Sequence, residues 1–182
     1  MAKTFEDIDH RLAEWIAVQK VFFVATAPGK HEGHVNLSPK GVDGTFTVID
    51  GRTVAYLDII GSGIETVAHL RNDGRIVIMF CAFEGPPRIV RLHGRGSVVL
   101  PGDSEWEELM ARFPPRPGAR SVIRVAVERI SDSCGFGVPL MSYAGERGQL
   151  ADWVNRKTEE ELADYRAKKN ALSIDGLPGL AE

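Results

Sequence analysis

Asn36, Ser38 and Lys40 recur at every second position in His34-Val35-Asn36-Leu37-Ser38-Pro39-Lys40-Gly41 and are the first candidates for chemistry. On a strand they share one face, with Val35 and Leu37 on the other. An ammonium on a flexible stem at a strand end suits a phosphate as a point charge, although a lysine after a proline also fits a solvated position. A second candidate runs from Tyr56 through Leu57-Asp58-Ile59-Ile60-Gly61-Ser62-Gly63-Ile64-Glu65-Thr66 to Leu70. It reads as a strand end, a glycine-flanked turn and a helix start whose free backbone N–H groups can hold an anion. Ser62 and Glu65 also have the spacing of a capping box, so Ser62 is expected to serve the helix and Glu65 to fold back on the backbone. That leaves the Thr66 hydroxyl, the backbone and Lys40 as phosphate contacts. Arg91, His93 and Arg95 share a face of a third stretch, as a solvated edge or as positive donors for an anion.

Other chemistries find little support. His31, His34 and His69 lack zinc spacing, and Gly61-x-Gly63 lacks the third glycine of a dinucleotide fingerprint. Two cysteines, Cys81 in an apolar run and Cys134 beside glycine, do not make a disulfide framework. A net charge of -3 argues against general nucleic-acid binding. No apolar run suits a membrane span, and the acidic N-terminal segment does not resemble a secretory signal. The expectation is a soluble, cytoplasmic protein.

The elements that position these residues are mostly short strands. Phe5, Ile8, Leu12, Trp15 and Ile16 follow a helical period, with Thr4 and Asp7 as a capping box. Strands follow at 20–26, 34–40, 45–49 and 53–58, the last two joined by the hairpin turn Asp50-Gly51-Arg52. After a helix ending at Gly74 come a covered strand at 75–82 and a long one at 88–100. Gly94 and Gly96 predict a bend or bulge in the latter. Ser104 to Phe113 reads as a capped helix stopped by Pro114-Pro115, and 120–130 as one more strand. Two late helices, 149–157 and 158–169, lead to an apolar tail. The pattern predicts a mainly β fold with added helices: one domain over 1–182, six or seven antiparallel strands in a barrel or sandwich, and an extension from about 145 to 182.

In this order the elements resemble the pyridoxamine 5'-phosphate oxidase-like flavoproteins, from about residue 15 to 130. The resemblance is carried by Ser38-Pro39-Lys40-Gly41, Tyr56-Leu57-Asp58, Gly61-Ser62-Gly63-Ile64-Glu65-Thr66 and Arg88-Ile89-Val90-Arg91-Leu92-His93-Gly94. Ser133 to Tyr143 resembles a subgroup of unestablished substrate. The resemblance implies a split β-barrel of Greek-key type and a homodimer with FMN in the cleft between subunits. It places Asn36, Ser38 and Lys40 toward flavin and phosphate, and Leu57 and Asp58 beside the cofactor. Ser62, Gly63, Glu65 and Thr66 fall in the phosphate turn, and Arg88 and Arg91 near the ring. True pyridoxamine phosphate oxidases have an Arg-Lys pair in that turn and a Gln where Ile89 stands, so vitamin B6 is not the expected substrate. A flavin-dependent oxidoreductase acting on a small molecule is the leading expectation. Deazaflavin or haem in the same cleft, or a non-catalytic flavin-binding or stress-response module, are the rivals.

Overall fold

Phe22, Val24 and Thr26 are buried while Phe23 and Ala25 are half-buried, the alternation expected of a strand with one face on a core. The computed structural model describes residues 3–29 and 33–180, so His31 lies outside the described residues. The strands are β1 (Lys3–Phe5), β2 (Phe22–Thr26), β3 (Asn36–Lys40), β4 (Phe46–Asp50), β5 (Thr53–Ile59), β6 (Arg75–Cys81), β7 (Ile89–Val99) and β8 (Ala119–Ser133). They form one antiparallel sheet in the order β3-β2-β6-β7-β8-β5-β4, with β1 added to β8. The helices are α1 (His10–Ala17), α2 (Glu65–Asn72), α3 (Trp106–Met110), α4 (Gln149–Asn155) and α5 (Glu159–Lys169).

The sheet coils until β3 lies opposite β5 and α2. There, side chains close the gap in place of a ladder: Lys40 reaches Asp58 at 3.0 Å and Asn36 reaches Thr66 at 3.2 Å. This gap is the split of a split barrel, and it is called the seam below. The curvature uses a bulge in β7, where the register with β8 shifts between His93 and Gly94. A Cβ on Gly94 would overlap the Ala126 carbonyl of the paired strand, so the glycine expected to mark a bend is required by the close approach of β8 at the bulge.

The barrel core holds Phe22, Tyr56, Phe80, Leu92 and Ile123, and α1 plugs one end with Leu12 and Ile16. Trp106, Leu109, Met110 and Phe113 pack with Leu57 and Val122 in a second cluster. Helices α4 and α5 add a third, Ile60 with Val154 and Leu162, beside a Trp153–Tyr165 edge contact at 4.9 Å.

Two local expectations change. Thr4 and Phe5 are strand, opposite Ser131 and Ile130, because β8 runs to Ser133 and offers them a ladder. Helix α1 therefore starts at His10, capped by Asp9, whose carboxylate accepts the Leu12 N–H at 2.8 Å. Helix α3 starts at Trp106 after Glu105 with no side-chain cap, so Ser104 plays no part in it. The apolar tail takes part of its cover from its own chain. Leu180 packs against the barrel core and Arg71 donates to the Gly179 carbonyl, whereas Leu172 and Ile174 remain exposed.

Candidate functional site

On β3 the apolar residues face outward: Val35 is 74% and Leu37 63% exposed. The polar set Asn36, Ser38 and Lys40 turns inward, opposite Thr26, Val24 and Phe22, and lines the seam. Ser38 Oγ donates to Asn36 Oδ1 at 3.1 Å, and Asn36 Nδ2 donates to Thr26 Oγ1 at 3.3 Å and Thr66 Oγ1 at 3.2 Å. Thr26 Oγ1 in turn meets His69 Nδ1 at 3.0 Å, which fixes the fully buried imidazole. The sequence-predicted residues Asn36, Ser38, Lys40, Asp58 and Thr66 thus come together.

The charge at the seam centres on Asp58, which is 1% exposed. Lys40 Nζ donates to Oδ1 at 3.0 Å and Arg120 Nε to Oδ2 at 2.7 Å. Burial alone would raise this carboxyl, but the two cations hold it below the usual carboxylate range. Two cations against one carboxylate leave one positive charge over, on a Lys40 side chain that is 24% exposed. Arg120 also fixes the turn, donating to the carbonyls of Gly61 at 3.3 Å and Gly63 at 2.9 Å and to Asn170 Oδ1 at 2.8 Å. Asn170 Nδ2 donates to the same Gly61 carbonyl at 2.9 Å.

Neither Arg120 nor Asn170 stood out in the sequence. Both act on groups more than fifty residues away, so local spacing carried no signal beyond a charge inside the apolar strand that begins at Ala119.

The turn itself corrects one expectation. Ser62 is exposed and caps nothing: the N-cap of α2 is Ile64, with no side-chain cap. Glu65 does fold back, Oε2 accepting the Ile64 N–H at 3.0 Å and Oε1 the tail's Ile174 N–H at 3.2 Å. A carboxylate therefore already occupies the helix start. Gly63 contributes a carbonyl to Arg120, and the Leu57 side chain points away into the second cluster.

Arg88 and Arg91 lie elsewhere in this chain. Arg88 pairs with Asp132 at 3.2 Å and stacks over Trp15, while Arg91 donates to Ser133 Oγ at 3.1 Å. Asp58 stands opposite Ser121 and Arg91 opposite Ser131, ten residues along β8. Through the other ladders Arg91 is in register with Met79, Phe23 and Pro39, three strands from β3 and on the outward face, so one chain does not turn these arginines into its own seam. His93, on the same outward face as Arg91, has its pKa lowered by burial and by Arg129 and Arg91. Arg95 is engaged with Asp73 and Glu128.

Whether the seam suits the phosphate end of a flavin nucleotide can be judged from its unused groups. Tyr56, on the same face of β5 as Asp58, has a buried hydroxyl without a hydrogen-bond partner, and its ring lies 5.9 Å from Lys40 Nζ. Lys40 uses one described donor bond of three. With one surplus positive charge and hydroxyls at Ser38 and Thr66, the donor set fits an anion held by side chains. At the start of α2 the Glu65 carboxylate already lies on the N-cap Ile64 N–H and disfavours a second anion there. Among the described residues no group of His, Cys, Asp and Glu could hold a metal ion, and no helix is long and apolar enough to cross a membrane.

Comparison with known proteins agrees with this architecture. The pyridoxamine 5'-phosphate oxidase family model matches residues 8–134, the segment from α1 to the end of β8. The chain is 38% identical over 195 aligned positions to the pyridoxamine 5'-phosphate oxidase family protein UstO of Aspergillus flavus, covering 97% of this chain and 77% of that one. Among solved structures, HupZ of Group A Streptococcus superimposes with a TM-score of 0.52 at 23% identity, over 68% of this chain and 91% of that one. A FAD-binding protein from Mesorhizobium loti gives 0.50 at 14% identity, over 72% and 96%. These two are likenesses of fold. The matched segment carries β3, the Asp58 strand and the turn into α2, and with it the chain belongs to the pyridoxamine 5'-phosphate oxidase family.

Proposed function

We propose that this protein binds FMN, its phosphate end in the seam, and works as a flavin-dependent oxidoreductase on a small molecule in the cytoplasm. The observation that carries this reading is the buried Asp58 flanked by Lys40 and Arg120, which presents one uncompensated cation beside an unpartnered tyrosine hydroxyl. Lys40, Ser38 and Thr66 would hold the phosphate. Asp58 holds Lys40 in place, and Arg120 with Asn170 fixes the turn on which Ser62 and Gly63 lie. Bound flavin would supply the electron transfer, and the protein its position, its electrostatics and the access of substrate.

The same reading includes a homodimer. The outward face of β3, β2, β6 and β7 is largely apolar across neighbouring strands: Leu37, Ala25 and Val77 lead to His93, and Phe23 and Met79 lead to Arg91. A second copy on this face would cover Val35 and Leu37 and carry its own Arg88 and Arg91 toward the first copy's seam. Such a cleft accounts for a cofactor site that one chain leaves half built.

Titration of the purified protein with FMN, deazaflavin and haem, alongside light scattering, tests both parts. FMN binding in preference to the other two by a dimer is expected. Tight haem binding without flavin affinity would overturn the cofactor assignment, and a monomer at micromolar concentration would overturn the shared cleft.

A further inference from the structure

A second site lies on the other side of β3 from the seam. Pro39 and Ile59, each next in sequence to a seam residue, form with Val21, Val42 and Leu150 the walls of a cleft of about 770 Å³. That size is ordinary for a small-molecule site, and the walls are apolar. Among the polar residues that also line it, Gln149, Asn155 and Arg116 included, Arg116 has unused capacity for an anion. Its guanidinium donates to the Asp43 carbonyl, its Nε–H is buried without a partner, and no described carboxylate forms an ion pair with it.

Glu146 also lines the cleft, but its Oε1 is taken by the Asp43 N–H at 2.6 Å. With Arg147 the lining carries two cations and one anion, a net single positive charge. An apolar slot with an unpaired, positioned guanidinium is complementary to one kind of small molecule. The slot removes an apolar body from water, and the planar fork recognises a carboxylate.

We propose that this cleft binds a small amphipathic carboxylate, its apolar body between Pro39, Ile59 and Leu150 and its carboxylate on Arg116. The binding claim does not depend on the flavin. Reading the ligand as the substrate rests on the proposed function, through the adjacency of Pro39 to Lys40 and of Ile59 to Asp58.

Calorimetric titration of the full chain with hydrocinnamate and with its neutral amide, hydrocinnamamide, tests the proposal. The acid should bind at least about tenfold more tightly than the amide, the usual scale for a charge-assisted pair. Arg116→Gln should abolish that preference. Ala151→Trp, which narrows the cleft from the solvent side of α4 and leaves Arg116 intact, should weaken both ligands. Equal binding of acid and amide, no binding of either at millimolar concentration, or a preference that survives Arg116→Gln would overturn the proposal. So would undiminished binding by Ala151→Trp. FMN titration of the same samples separates the two readings: FMN binding without hydrocinnamate binding sinks this one, and the reverse sinks the flavin assignment.

Discussion

Removing Arg120 should be the most damaging change at the seam. Its side chain is 5% exposed and makes four described contacts: Asp58 at 2.7 Å, Asn170 at 2.8 Å, and the carbonyls of Gly63 at 2.9 Å and Gly61 at 3.3 Å. Arg120→Ala leaves Asp58 buried with Lys40 as its one described cation, and it strips the Gly63 carbonyl and Asn170 Oδ1 of a described donor. Taking one partner from a buried ion pair costs about 3–5 kcal/mol, because the other charge stays behind in a poor solvent. With a urea m-value of about 2 kcal/mol/M, the unfolding midpoint should fall by about 2 M.

Urea unfolding followed by tryptophan fluorescence, at fixed protein concentration, is the assay. Arg124→Ala is the control, since Arg124 sits on the same strand but is 44% exposed and meets a 48% exposed Glu105. That exposed pair should contribute less than about 0.5 kcal/mol. If Arg120→Ala costs no more than Arg124→Ala, Arg120 is not the anchor of the turn and the account of the seam is wrong.

Four further outcomes follow from the same geometry. Lys40→Ala should weaken FMN binding about tenfold or more, the scale of one lost charge-assisted hydrogen bond, as read by fluorescence titration. Acid should destabilise the fold through Asp58: its folded pKa is depressed, so its contribution is complete above the unfolded value of about 3.9 and is lost as pH falls from there through the folded value. Urea midpoints should therefore hold level above roughly pH 5 as far as Asp58 is concerned and drop below roughly pH 4, and a rising midpoint on acidification would contradict this. Gly94→Ala should lower the thermal midpoint sharply or yield insoluble protein, since the new methyl would overlap the Ala126 carbonyl of the paired strand β8. Ser62→Ala should leave the urea midpoint unchanged within error, because the exposed hydroxyl caps nothing.

Much of the fold was legible because the deciding forces were local. The β-branched and aromatic residues of β2, the Asp50-Gly51 turn and Pro114-Pro115 each constrain only a few neighbouring residues. Gly94 announced a bulge by being a glycine in a long strand. Strand β1 was hidden, since Thr4 and Phe5 suit a helix start and become strand only because β8 extends far enough to pair with them.

The site divides in the same way. Asn36, Ser38, Lys40, Asp58 and Thr66 could be found from alternation and a strand–turn–helix pattern. Arg120 and Asn170 could not, because their roles exist only after the barrel closes and the tail returns. The predicted cap at Ser62 failed because Ile64 took the N-cap position and Glu65 bonded its N–H directly. Arg88 and Arg91 are grouped with the seam by resemblance, yet the register of β7 sets Arg91 on the outward face, three strands from β3. A second subunit is the arrangement that would reunite them.

The central claim, that the seam receives the phosphate end of FMN, is met most directly by mapping backbone amide shifts during FMN titration of the isotope-labelled protein. The largest changes should fall at Ser38, Lys40, Asp58 and Ser62 to Thr66, and they should be strongly reduced in Lys40→Ala. Shifts confined to other surfaces, or none at millimolar FMN, would contradict it.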